Sequence, residues 1–410
     1  MSPDDERSSR RAVLQACGGA LATGLTALSG CGSLPPLGPE IKYGSVTVPT
    51  AGEATYQKWL PAAETFPPAA DVDDGYDVQV YAPPPDAAPD WTRNNYQRHH
   101  LVSSTDFVGV GIDDVDLALG TDVAAVLLGD IPTLDVHETL AQTSYEPVGT
   151  DGNYEIYTRP DTERAVGVSS DAVVFGTGSP ARENLTTVLA ARRGDVPRYD
   201  AQNSDFATVA AHTGVRRWAW LWPGEIRGTF RRYENVKADI EGLGMAFDHD
   251  ESGAYYVETW LFPSEYDVTV GEVKTALKQH GQAVNATAVD VDVSGRTATI
   301  AMTAPIEEFR EDYSPGALTP SVTWSAKYSA DAQRLTITHE AGDSIPLDTL
   351  TIQDHGVDPI ETGPGVGERL DPGELLTVTT AQFEAGATVR VLYEPSHEQP
   401  ALLLYEYELP

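Results

Sequence analysis

The chain has 410 residues, with 62 acidic side chains against 27 basic ones and a net charge of −35. Such acidity excludes a generic nucleic-acid binder, because phosphates are repelled by that surface. A hydrophobic content of 41% excludes global disorder, and two cysteines, Cys17 and Cys31, exclude a disulfide scaffold or a Cys-based zinc ribbon.

Residues 1–30 read as an address. Arg10 and Arg11 precede a weakly apolar stretch without charge, which ends in Leu28-Ser29-Gly30-Cys31. The paired arginines resemble a twin-arginine export signal. Leu28, Ser29, Gly30 and Cys31 resemble a lipobox, which implies cleavage before Cys31 and lipid on its sulfur. The stretch is long enough to span a bilayer, but its Gly, Ala, Ser and Thr suit a signal h-region better than a spanning helix. Acidic residues are spread along the chain, and only six lysines stand beside 21 arginines. Molar salt shrinks the Debye length to about 3 Å and screens the self-repulsion of such a surface. The composition resembles that of proteins from extremely halophilic archaea. Together these features resemble a haloarchaeal Tat-exported lipoprotein of unknown function.

Residues 31–104 are expected to form a tether and a Pro-rich wrapping segment, with a strand-like run at Tyr43–Val48 and a short helix at Tyr56–Leu60. Seven prolines within 61–90 argue against regular helix there. Residues 105–310 alternate strand and helix patterns and form the expected body. In its second half Val215–Trp222 reads as a strand, Glu225–Glu241 as a helix, and Leu243–Phe247 with Ala254–Phe262 as a hairpin. Thr269-Val-Gly-Glu272 is a capping box opening a helix that stops at Gly281. Ala288–Val293 and Thr297–Thr303 then pair. That β-α-β-β-α-β order predicts a ferredoxin-like unit. The first half, with strands at Val123–Leu128, Asn153–Thr158 and Arg164–Gly176 and helices at Leu134–Gln142 and Ala181–Arg193, suggests the same plan. The expected class is therefore α+β, with candidate ferredoxin-like halves at 105–200 and 205–310, followed by an immunoglobulin-like all-β sandwich at 318–410.

The last region carries short alternating runs separated by Gly, Pro and Asp. Leu335-Thr-Ile-Thr-His-Glu-Ala-Gly-Asp343, Leu350-Thr-Ile352, Gly386–Leu392 and Leu402–Tyr405 resemble the C-terminal β-sandwich of haloarchaeal type IV pilins. That resemblance implies a sandwich with edges or a face for a protein partner. The pilin assembly helix is replaced here by the lipobox.

Motifs for chemistry are sparse. The nine histidines show no metal-ligand spacing, so no metal or cofactor is expected. Asp248-His-Asp-Glu-Ser-Gly253 begins like a calcium loop, but Thr259 stands where a bidentate Glu is needed, so a hairpin turn is expected. Gly176-Thr-Gly178 before a helix lacks the further Gly and the Lys of a phosphate loop and reads as a tight turn. Trp218, Trp220 and Trp222 share one strand face and form a candidate ligand platform or one side of a core. Arg216 and Arg217, with Arg231 and Arg232, make a rare basic spot. Asn285 and Asn184 fit the glycosylation pattern. The sequence thus reads as a non-catalytic lipoprotein on the extracellular face of the cell membrane, anchored by lipid, with a binding or envelope-structural role and a protein partner. The alternatives are an extracytoplasmic small-ligand receptor and an envelope hydrolase with a spatially assembled site.

Overall fold

Short runs in which neighbouring side chains are both apolar form strands that bury two faces. In the computed structural model, which describes residues 41–72, 75–82, 105–224, 239–250, 252–280, 286–305, 319–353, 368–379, 386–394 and 401–410, twelve such strands join in one sheet. In chain order its elements are β1 (Val78–Tyr81), β2 (Val115–Gly120), β3 (Ala124–Gly129), α1 (Thr133–Leu140), β4 (Glu146–Asp151), β5 (Tyr154–Thr158), β6 (Arg164–Val168), β7 (Ala172–Thr177), α2 (Ala181–Arg193), α3 (Tyr199–Gln202), α4 (Ser204–Thr213), β8 (Trp218–Pro223), β9 (Gly242–Asp250), β10 (Gly253–Leu261), α5 (Val270–His280), β11 (Ala288–Ser294) and β12 (Thr297–Ala304). The spatial order is β11-β12-β10-β9-β8-β1-β2-β3-β7-β6-β5-β4, and every pair is antiparallel.

This overturns the α+β, duplicated ferredoxin-like expectation. Among the described residues strand outweighs helix 44% to 21%, and the two expected halves lie in a single sheet. A ferredoxin-like unit needs strands that return parallel over a helix. Here β8 and β9 are antiparallel neighbours rather than a parallel pair over a helix, and although β11 returns parallel to β10 after α5, the strand between them is β12 and not β8. The expected helix at 225–241 falls largely outside the described residues, and Gly242 already begins β9. The Pro-rich wrapping segment holds a further surprise. Its Val78–Tyr81 run is the central strand, hydrogen-bonded to β2 on one side and β8 on the other.

Two cores flank the sheet because successive residues point to opposite faces. Trp218, Trp220, Phe175 and Trp260 join Val136 and Leu140 of α1 and Leu277 of α5 on one face. Ala219, Leu221, Val174 and Val257 join Leu185 of α2, Phe206 of α4 and Tyr56 and Trp59 of the wrapping segment on the other. Local signals place these helices. Asn203 Oδ1 accepts the amides of Asp205 and Phe206 to cap α4. Thr269 and Glu272 exchange the two bonds of the expected capping box. Gly194, in the left-handed region at φ 83°, ends α2. At Gly244 the α4 helix comes so close that a Cβ would lie 2.1 Å from Thr213 Oγ1.

Both sheet edges are guarded, as edges must be to avoid pairing with another chain. Along β11, Gly44 N–H donates to Val289 O at 3.0 Å, and Lys42 O accepts the Val289 amide at 2.9 Å. This bridge is what the Tyr43–Val48 run forms in place of a full strand. The opposite edge, β4, is exposed, irregular in register and interrupted by Pro147.

The C-terminal module is all-β among its described residues. β13 (Val322–Ser329), β14 (Arg334–Gly342), β15 (Ile345–Pro346), β16 (Leu350–Gln353), β17 (Arg369–Leu370), β18 (Leu375–Thr379), β19 (Thr388–Tyr393) and β20 (Leu402–Glu408) form sheets ordered β13-β14-β18 and β16-β19-β20, with a β15-β17 ribbon. Trp324, Leu335, Ile337, Leu376, Val389 and Val391 share its core.

Candidate functional site

The tryptophan row occupies one face of β8, next to the central strand. Trp218, Trp220 and Trp222 are buried, with exposures of 1%, 7% and 7%. The Trp220 and Trp222 ring centroids lie 3.8 Å apart, and Trp218 meets Trp220 edge-on at 6.2 Å. Register places Trp220 opposite Met245, and Met245 opposite Glu258. A thread of polar bonds crosses this aromatic face. Trp218 Nε1 donates to Tyr81 Oη at 3.1 Å, and Tyr81 Oη donates to Gln79 Oε1 at 2.5 Å. Glu258 is fully buried and accepts Trp260 Nε1–H at 2.7 Å. Trp220 Nε1 meets no acceptor among the described residues. A sugar-stacking platform needs an open ring face, and none of the three rings presents one in this arrangement.

The basic spot resolves into a buried ion cluster. Arg217 Nε lies 3.1 Å from Asp248 Oδ1, and Arg216 Nη1 lies 3.6 Å from Asp248 Oδ2. Both guanidinium groups are shifted downward by burial, against the pull of Asp248. Asp248 is thereby tied to the arginines and unavailable to calcium. Asp250 accepts the Ser252 amide and hydroxyl inside the β9–β10 turn, as the hairpin reading expects. Arg231 and Arg232 lie outside the described residues.

At the turn before α2 the chain supplies its own anion. Glu163 Oε2 accepts the Ala181 amide at 3.3 Å, so a carboxylate of the chain itself sits at that helix N-terminus. Asn184 corrects one expectation: it is fully buried and its Nδ2 donates to Thr177 O at 3.1 Å, which leaves no room for a glycan on the folded chain. Asn285, Arg10, Arg11, Leu28, Ser29, Gly30 and Cys31 lie outside the described residues.

The densest polar constellation sits where the body meets the module, and sequence reading missed it. Arg159, at the end of β5, has a side chain only 1% exposed. Its Nε and Nη2 bind Asp161 in a fork at 2.9 and 2.8 Å, and Nη1 reaches Asp106 at 3.3 Å. Across the junction, Nη2 donates to Trp324 O on β13 at 2.6 Å and lies 3.6 Å from Glu340 on β14. Glu340 also accepts the Ser144 amide at 3.0 Å and the Ser144 hydroxyl. Thr323 Oγ1 donates to Phe107 O at 2.6 Å, and the Phe107 amide reaches Val322 O at 3.4 Å. Tyr145 lies under the guanidinium at 5.4 Å and donates to Asp106 Oδ2 at 2.9 Å. Burial, reinforced by Asp106, pushes its phenol well above the ordinary range, so it stays a donor. The sequence offers no more local signal than an arginine beside Pro160 and Asp161.

No family model matches the chain, and no curated protein matches it. Among solved structures it is similar to crystal forms III, I and IV of TP0453, at 11%, 11% and 12% identity and a TM-score of 0.36. Those matches cover 60% of this chain and 97%, 96% and 96% of the respective chains.

Proposed function

We propose that the chain is a non-catalytic binding protein of the cell envelope, held by lipid at Cys31 on the extracellular face of the membrane. It presents the body and the C-terminal module to a protein partner as one rigid unit. The observation that carries this reading is the Arg159 junction. Its fork to Asp161, together with bonds to Trp324 and Glu340, fixes the module on the body in one orientation. A receptor or scaffold gains from such preorganisation, because ordering is not repeated at each encounter. The order Arg10-Arg11, weakly apolar stretch, Leu28-Ser29-Gly30-Cys31 supports export and anchoring. Export of folded cargo also suits a body whose central strand comes from the segment just after the tether.

Cys31→Ser tests the anchor. Release of the protein into the medium, or accumulation of an unprocessed form, is expected by immunoblot of cell fractions. A variant of unchanged mass that stays with the membrane overturns the lipid assignment. A second reading, a small-ligand receptor, is favoured by one feature: the buried Trp220 indole N–H, which meets no acceptor among the described residues.

A further inference from the structure

The charge balance across the junction is lopsided. Among the described residues one guanidinium faces three carboxylates, of which Asp106 and Asp161 belong to the body and Glu340 to the module. Before docking, the body side already holds two carboxylates against Arg159. Docking therefore brings a further negative charge to a site that is net negative. Arg164 is close enough to Tyr145 to be felt electrostatically, but among the described residues it forms no ion pair with the three acids. Counting both arginines, an acid excess remains among the described residues. The larger pieces repel as well, because residues 105–310 carry 33 acidic against 16 basic side chains and residues 318–410 carry 15 against 4. The contacts that draw the module in are short-ranged: Arg159 to Trp324 O, Ser144 to Glu340, and Thr323 to Phe107. Salt screens the long-range repulsion between exposed charges far more than it weakens buried hydrogen bonds.

We propose that this junction is a salt-gated clamp, closed in molar salt and open in dilute salt, with Glu340 and Asp106 setting the salt at which it opens. The twelve-stranded body keeps its fold across that transition, because its two cores do not depend on the module. Opening would part Glu340 from Ser144 and Val322 from Phe107.

The Ser144 and Phe107 amides bond across the junction and report the clamp directly. Amide hydrogen exchange on the full mature chain would follow them from molar sodium chloride down to about 0.1 M. Interior sheet amides such as Val126, paired with Val174 across β3 and β7, serve as the reference. The expected result is a loss of protection at the junction on the order of tenfold or more while the sheet stays protected. Glu340→Gln removes one excess charge and keeps an acceptor for Ser144, so it should move the opening to lower salt. Asp106→Asn should shift it in the same direction from the body side. Glu368→Gln removes an equal charge from the exposed surface, relieves only the long-range repulsion, and should shift the midpoint much less. The proposal is overturned if junction and sheet amides lose protection together. It fails equally if Glu368→Gln shifts the midpoint as far as Glu340→Gln, or if neither junction variant shifts it.

Discussion

The body and the module solve the same problem, burying β-strands, in opposite ways. In the interior of the body's sheet both faces of the strands have a destination. Along β8, Trp218, Trp220 and Trp222 enter one core while Ala219 and Leu221 enter the other, so the run reads as continuously apolar. In the module Leu335 and Ile337 point inward while Arg334, Thr336 and Thr338 lie between them, the alternation of a sheet with one dry face. The body thus needs helices and a wrapping segment on both sides, whereas the module closes on itself through two small sheets. The two cores of the body and the core of the module are separate, and what joins the pieces is mainly polar. A junction of that kind is specific but conditional, since it depends on every buried charge keeping its partner.

The sharpest way to break the contrast is to sever the joint. Arg159→Ala strips Asp106, Asp161, Glu340 and Trp324 O of their shared donor inside a buried site. Removal of one partner from such a network costs about 3–5 kcal/mol. In calorimetry at molar salt, one cooperative transition should become two, with the module melting separately. A single transition at the wild-type temperature would show that contacts other than Arg159 couple the pieces. Cutting the chain near Pro315 is a poorer test of the same point, because it leaves the body with an unanswered Arg159 pocket.

A smaller effect separates the two-faced sheet from the module. Gly244→Ala pushes a methyl into Thr213 Oγ1 on α4, where only 2.1 Å is available, with Val209 Cγ1 at 3.0 Å. Overpacking of this kind costs about 1–3 kcal/mol. Denaturant unfolding followed by body and module probes should lower the body transition and leave the module transition unmoved. Equal movement of both would mean that the sheet and the module unfold as one.

The parts of the fold that were legible in the sequence are those set by local punctuation. Thr269 and Glu272 announce α5, and Gly194 closes α2. The β9–β10 hairpin follows from alternation around the turn at Asp250–Gly253. Pairing between strands distant in sequence was not legible, although the β11–β12 hairpin was. An order of strands and helices fits several sheets, and nothing local states that β12 returns beside β10 or that β1 divides β2 from β8. Val78–Tyr81 was hidden because prolines crowd both sides of a four-residue strand, and proline argues against sheet only where an amide is needed. The tryptophan stripe was visible, but its burial depends on helices and strands from elsewhere in the chain. Arg159 was least legible of all, since Trp324 is 165 positions away and an isolated arginine carries no periodic signal.

The smallest effect concerns pH and again distinguishes the pieces. His249, near the end of β9, is 4% exposed and pushed down to about 4, first by burial and then by the Arg217 charge. The folded chain therefore prefers the neutral ring, while the unfolded chain titrates near the ordinary value of about 6.5. Stability from this residue is complete above that value. It is lost as pH falls through 6.5 toward 4, because the unfolded state takes up the proton first. Between pH 7 and 5, before most carboxylates titrate, the loss should be about 1–2 kcal/mol after allowance for solvent screening. His339 in the module is also held down, chiefly by burial, so the module has its own acid sensitivity. His249→Gln should flatten the pH dependence of the body transition and leave that of the module as it was. If the variant and the parent lose body stability in parallel over this window, His249 is already solvated in the folded state, and the acid response of the body lies with its carboxylates.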